Sequence, residues 1–404
     1  MYDFDRIINR RGTGSLKHDR RLPDGAGPNT ISMWVADMDF AVLPEVRQAL
    51  SKRVDHGIYG YSIPSPTYAT AVAGWMKRRH DWEILPEWIS TSPGVVPALK
   101  MIVRAFSSPG DAILVQRPVY YPFMRSIESN DRRVVNSPLH YCAGTGRYEI
   151  DFDDFERRIV EDNPRLFFLC NPHNPVGRVF TREELWRMGD LCLRHGLLII
   201  SDEIHHDFVY EGHTHLPFSK VDPRFAARAL ICTAPSKTFN LAGLHNSNIV
   251  IADPELKARF DREKIRSGMN DQNCFGTVAC EAAYAYGDQW VEEVKSYLYG
   301  NYELIDSFLR TRLPMISVLR PEGLYLLWLD LRGLGMTNDE MKRFLLEEVG
   351  VWGDPGDMFG PEGEGFFRLN IACPRSVITE LFERMERCVN NRFQRQETCR
   401  NLEE

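Results

Sequence analysis

No long hydrophobic run occurs in the sequence. Its apolar stretches are strand-sized, as in Gly196–Ile200, whereas a bilayer-spanning helix needs about 20 consecutive apolar residues. A membrane partner is therefore not expected. A long basic tract is also missing: Arg10-Arg11 and Arg78-Arg79-His80 are short, and 49 basic residues against 56 acidic ones leave a net charge of −7. That balance argues against nucleic acid. The nine cysteines are odd in number and scattered, with no C-x-x-C pair, so reduced thiols and a cytoplasmic setting are expected. The opening Met1-Tyr-Asp-Phe-Asp-Arg6 has no apolar stretch behind a basic start, which argues against a secretory signal. No internal repeat, low-complexity stretch or Gly/Ser linker is present. What remains is 404 residues, 43% of them apolar. That length allows two or three domains, or one large α/β domain with an attachment, and the apolar content is enough for a core. Composition names no chemistry.

Pattern says more. Apolar runs recur at Ala112–Val115, Leu166–Cys170, Leu197–Ile200, Ala229–Cys232 and Ile249–Ile251. Runs this continuous predict strands buried on both faces, as in a parallel sheet covered by helices. Thr181-Arg-Glu-Glu184 is a capping-box pattern. Leu185, Met188, Leu191 and Cys192 continue it as an apolar helical face, and Gly196 ends it. The result is a strand–helix–strand unit of the doubly wound type. In the C-terminal third, Gly323–Leu331 and Phe366–Ile371 read as strands. Thr337-Asn-Asp-Glu340 caps a helix through Glu348, and a helix from Ser376 to Arg392 precedes a frayed tail from Gln394. We expect a large, mostly parallel doubly wound domain over residues 45–287. Residues 1–44 and 288–404 would form a smaller α+β domain with an N-terminal arm.

Three of the predicted strands lead directly into polar segments: Asn171-Pro-His-Asn-Pro-Val-Gly177, Ser201-Asp-Glu-Ile-His205 and Ala234-Pro-Ser-Lys-Thr-Phe-Asn240. Ligands of open α/β sheets sit beyond the carboxyl ends of strands, so these segments should converge on one pocket. A lysine at such a mouth, Lys237, can be desolvated and attack an aldehyde to form a Schiff base. Pyridoxal 5′-phosphate (PLP) is the cofactor this chemistry usually serves. It needs an acid at its ring nitrogen, for which Asp202 is placed, and a donor at its phenolic oxygen, for which Asn174 is placed. Its phosphate needs a helix N-terminus, which Ser92-Pro-Gly94-Val95-Val96 offers ahead of an apolar-faced helix. His205, His206, His213 and His215 cluster within eleven residues. Their spacing matches no standard zinc pattern, Gly212-His-Thr-His215 reads as an exposed loop, and no metal is expected.

The three polar segments resemble the signatures of fold-type-I PLP enzymes, the aspartate-aminotransferase-like transferase fold. Trp34-Val-Ala36-Asp37-Met-Asp39, Tyr59-Gly-Tyr61, Pro118-Val-Tyr-Tyr-Pro-Phe123, Asp202-Glu-Ile-His205 and Phe367-Arg-Leu-Asn-Ile-Ala-Cys-Pro374 further resemble the MalY/PatB (cystalysin-like) carbon–sulfur β-lyases. The resemblance implies that Lys237 holds PLP and moves the Cα proton, with Tyr120 stacked on the ring and Tyr121 near the substrate. His205, Ser236, Gly94, Val95 and Val96 join Asp202 and Asn174 around the cofactor. Arg368 would grip the substrate carboxylate, with Ala36, Asp37 and Trp352 nearby, and Tyr61 would reach the phosphate of the other subunit of a homodimer. The implied reaction is α,β-elimination from an L-cysteine S-conjugate, such as cystathionine, to a thiol, pyruvate and ammonia. Transamination, decarboxylation with oxidative deamination, and a regulatory protein that binds a transcription factor remain alternatives. His245 stands where many aminotransferases of this fold carry a phosphate-binding arginine, a change that favours the lyase. Leu324 and Trp352-Gly353-Asp354 depart from the subfamily pattern and imply a reshaped substrate pocket.

Overall fold

The structure, a computed structural model, describes residues 2–403, with side chains through Arg392 and at Gln394. The chain divides into two compact units, one of residues 41–295 with 321–324, the other of residues 1–40, 296–320 and 325–404. The expected boundary at 287 falls just before the helix Asp288–Arg312. The start of that helix stays with the larger unit because Trp290 is buried there, its ring 5.7 Å from that of Phe239. Residues 321–324 belong there too, since the Leu324 amide donates to the Phe208 carbonyl at 2.9 Å.

The larger unit is built on a seven-stranded sheet. In chain order its strands are β1 (Ile89–Ser92), β2 (Ala112–Val115), β3 (Arg133–Asn136), β4 (Leu166–Cys170), β5 (Leu198–Asp202), β6 (Ala229–Thr233) and β7 (Ser247–Val250). They lie in the order β1-β7-β6-β5-β4-β2-β3. Every residue of β4, β5 and β6 is buried, as continuous apolar runs require of strands covered on both faces. The pairs among β2, β3, β4, β5 and β6 are parallel. The Ile249 strand departs from the expected parallel set: β7 runs antiparallel to both β6 and β1. The link from β6 to β7 holds only the turns Pro235–Thr238 and Ala242–Leu244, with no crossover helix to return the chain in the same direction. Leu99 and Ile102 of the helix Val95–Phe106 share one buried apolar cluster with Ile113, Phe168, Ile200, Leu230 and Ile249. Each such buried side chain contributes roughly 1.5–3 kcal/mol. The capping box of Thr181 and Glu184 forms as expected and opens the helix Arg182–Arg194.

The smaller unit carries a four-stranded antiparallel sheet, in the order Ser317–Val318, Leu326–Asp330, Phe366–Asn370, Asp354–Pro355. Ile31–Ser32 pairs in parallel with Val351–Trp352. A second capping box, Thr337 with Glu340, opens the helix Asn338–Arg343, which widens into a π-helical turn over Phe344–Val349. The last helix, Arg375–Glu403, continues through the region expected to fray from Gln394, because that stretch has no Gly or Pro and is rich in Gln, Glu and Arg. Among the described residues, no helix is long and apolar enough to cross a membrane.

Candidate active site

In the larger unit, the carboxyl ends of three strands line up residue by residue. Cys170 of β4 stands opposite Asp202 of β5, and Asp202 stands opposite Cys232 of β6. The three polar segments therefore leave the sheet side by side. Asn174, buried in the first segment, accepts the Tyr120 amide at 3.0 Å on its main-chain oxygen. Tyr120 is half-buried against the core. Its ring centroid lies 5.8 Å from that of Tyr121, over which the Arg125 guanidinium sits at 4.7 Å.

Asp202 ends β5 fully enclosed, and the Ile204 amide donates to its carboxylate at 3.2 Å. Burial pushes its carboxyl up to about 7, although the charge of Lys237 draws it down. Lys237 is half-buried on the short helix Pro235–Thr238. Ser236, beside it, accepts the Leu241 amide at 3.1 Å on its carbonyl. Buried His205 follows in the second segment, its carbonyl accepting the Phe208 amide at 3.0 Å. At the end of β1, Gly94 takes φ +136° and caps the helix Val95–Phe106. A side chain rarely adopts that backbone, so glycine is what lets the strand turn and aim the Val95 and Val96 amides outward from the first helical turn.

Behind the lysine lies a network that sequence reading missed. The Asp207 carboxylate is fully buried and accepts from Thr238 Oγ1 at 2.6 Å and Trp75 Nε1 at 3.3 Å. His80 Nε2 lies 3.0 Å and His206 Nε2 3.1 Å from its oxygens. These donors hold the carboxyl well below its ordinary value, while burial drives His80 down to about 4. His215, expected on an exposed loop, is buried instead, because buried Glu203 draws in its Nε2 at 2.9 Å together with the Ser201 hydroxyl at 2.8 Å. Asp207 stood in view beside His205, but His80 is 127 residues away and no local signal joins them.

In the smaller unit, Arg368 is buried on the strand Phe366–Asn370. Its Nη2 donates to the Trp34 carbonyl at 2.9 Å and pairs with Asp354, its register partner on the neighbouring strand. The Trp34 ring stacks on Trp352 with centroids 4.7 Å apart and 15° between planes. Ala36 presents its carbonyl to the Tyr325 hydroxyl at 3.1 Å. The Asp37 carboxylate, expected near the substrate, is bound by Arg10 at 2.7 Å, with Lys17 at 3.9 Å. Tyr61, of the larger unit, is 99% exposed.

The aminotransferase class I and II family model matches residues 28–385. Cystathionine beta-lyase PatB of Bacillus subtilis (strain 168) is 42% identical over 384 residues, which is 95% of this chain and 99% of PatB. Protein MalY of Escherichia coli (strain K12) is 32% identical over 382 residues, 94% of this chain and 96% of MalY. The crystal structure of cystalysin from Treponema denticola, which contains a pyridoxal 5′-phosphate cofactor, is similar with a TM-score of 0.93. Its identity is 36%, covering 97% of this chain and 99% of cystalysin.

Proposed function

Because the chain belongs to the class I and II aminotransferase family, and within it to the PLP-dependent MalY/PatB (cystalysin-like) group, we propose that it is a carbon–sulfur β-lyase. Its substrates would be L-cysteine S-conjugates of the cystathionine type, and its products a thiol, pyruvate and ammonia. The observation that carries this reading is the enclosed Asp202 in line with the strand ends that lead to Asn174 and Lys237. A buried carboxyl held near 7 takes its charge readily when a cation arrives, and a protonated ring nitrogen is such a cation. The donor set therefore fits PLP, which when bound supplies an electron sink that weakens the bonds at the substrate's α carbon.

The chain's own residues divide the remaining work. Asn174 offers an amide donor to the cofactor's phenolic oxygen and Tyr120 an aromatic face to its ring. The Val95 and Val96 amides, with Gly94 giving close approach and Ser236 a hydroxyl, suit a phosphate. His205 would complete the set of residues that hold the cofactor. Lys237 is the group that takes a proton from the α carbon, and Tyr121 stands by for the substrate. Arg368 binds the α-carboxylate with a planar fork matched to that anion. Ala36, Asp37 and the stacked Trp352 shape its surroundings. The active form would be a homodimer to which Tyr61 contributes across the interface. The eight described cysteines are all free, which supports a cytoplasmic setting.

Incubating the holoenzyme with a panel of cysteine S-conjugates, with products identified by mass spectrometry, tests the reading. Thiol and pyruvate should appear in equal amounts, and Lys237→Ala should abolish both. A keto acid that keeps its sulfur would instead assign the protein to the aminotransferases.

A further inference from the structure

Asp354 is a residue the mechanism above leaves unused. It is buried beside Arg368, the two side chains being 3% and 4% exposed. Strand register sets the pair, since Asp354 lies directly opposite Arg368 in the ladder. Around the pair, the Phe359 ring lies 4.9 Å from the guanidinium, the Trp34 carbonyl accepts from it, and Trp328 is opposite Arg368 on the other flanking strand. The nearby acids face elsewhere, Asp357 to Lys342 and Asp37 to Arg10 and Lys17. Among the described residues, Arg368 is thus the one cation acting on Asp354.

We infer that Asp354 is a specificity-determining residue: it compensates the charge of Arg368, so that binding a substrate carboxylate there draws a proton onto Asp354. This rests on Arg368 being the carboxylate site of the proposed reaction. A second carboxylate reaching the same guanidinium places two like charges around one cation, and one of them must then give up its charge. Leaving Asp354 ionised and unpaired in this apolar setting would be costlier still. Burial has already moved its carboxyl upward, outweighing the pull of Arg368, so the proton is taken up at modest cost. The carboxyl of Asp354 is raised further in the bound state. Carboxylate affinity is therefore greatest at low pH and falls as pH rises above the value for the free protein, by up to tenfold per unit for one linked proton. A neutral residue at 354 would remove the Asp354 carboxylate from Arg368, and give a tighter grip on anionic amino acids without this linked proton.

The test is titration of the holoenzyme with L-alanine and with L-alaninamide, followed through the cofactor's absorbance from pH 6 to 8.5. Asp354→Asn should bind L-alanine roughly tenfold or more tightly than wild type at the upper end. The gap should narrow as pH falls, and L-alaninamide should bind both proteins alike. Asp354→Ser, which also removes the charge, should behave the same way and guards against a folding defect in either variant. Arg368→Gln separates the two levels of the reading. If it erases the preference for alanine while neither 354 variant tightens alanine binding, the role of Asp354 is wrong. If it leaves that preference intact, Arg368 is not the carboxylate site.

Discussion

Asp202 is held near 7 while an unfolded carboxyl titrates near 3.8, and that difference has a measurable sign. Between those values the folded protein without cofactor holds a proton that the unfolded chain has lost. Its stability therefore falls as pH rises through that window, by an amount on the order of a few kcal/mol. A ring cation paired with the carboxylate removes the loss. Thermal melts of the cofactor-free protein should show wild type losing ground against Asp202→Asn between pH 4.5 and 7.5. The cofactor-loaded wild type should not lose stability in this way. A gap that moves the other way would mean that Asp202 is ionised and satisfied without the cofactor. Asp202 and Lys237 were legible in the sequence because each follows a continuous apolar run by at most a few residues. The His80–Asp207 pair was not, since burial brings together residues that no local pattern connects.

At the scale of elements, the helix bearing Lys237 has only four residues, too few to be stable alone. Its anchor is the hydrogen bond from Thr238 to Asp207, and through Asp207 the side chains of Trp75, His80 and His206. Thr238→Val keeps the shape and removes the donor. It should cost about 1–2 kcal/mol in urea unfolding, and it should lower turnover by more than it raises KM, because the lysine is misplaced while Arg368 is untouched. Equal losses in wild-type-like proportion across both parameters would count against an anchoring role. The capping boxes at Thr181 and Thr337 formed where the sequence placed them, since a cap is a local bargain among four residues. The direction of β7 was not legible. A run such as Ile249–Ile251 reports burial on both faces, but the strand's direction depends on the connection that precedes it.

At the scale of the whole molecule, the exposed apolar residues are not evenly scattered. Ile58, Tyr59, Tyr61 and Ile63 fall within six positions, at 67%, 54%, 99% and 87% exposure. Exposed apolar side chains are ordinary singly, but a contiguous group marks a surface that something covers. A second copy of the chain is the proposed occupant, with Tyr61 reaching the partner's cofactor phosphate. Two variants separate the parts of that proposal. Ile63→Asp places a charge in the interface, and sedimentation at micromolar concentration should shift from twice the 46.6 kDa chain mass toward the single chain. Tyr61→Phe keeps the apolar surface and should remain dimeric. It would lose a hydroxyl bound to a charged group, which is worth about 1.5–3 kcal/mol, so PLP affinity should fall roughly tenfold to a hundredfold. A Tyr61→Phe dimer with unchanged PLP affinity would leave Tyr61 as an interface residue with no part in holding the cofactor, and a monomeric wild type would remove the interface itself.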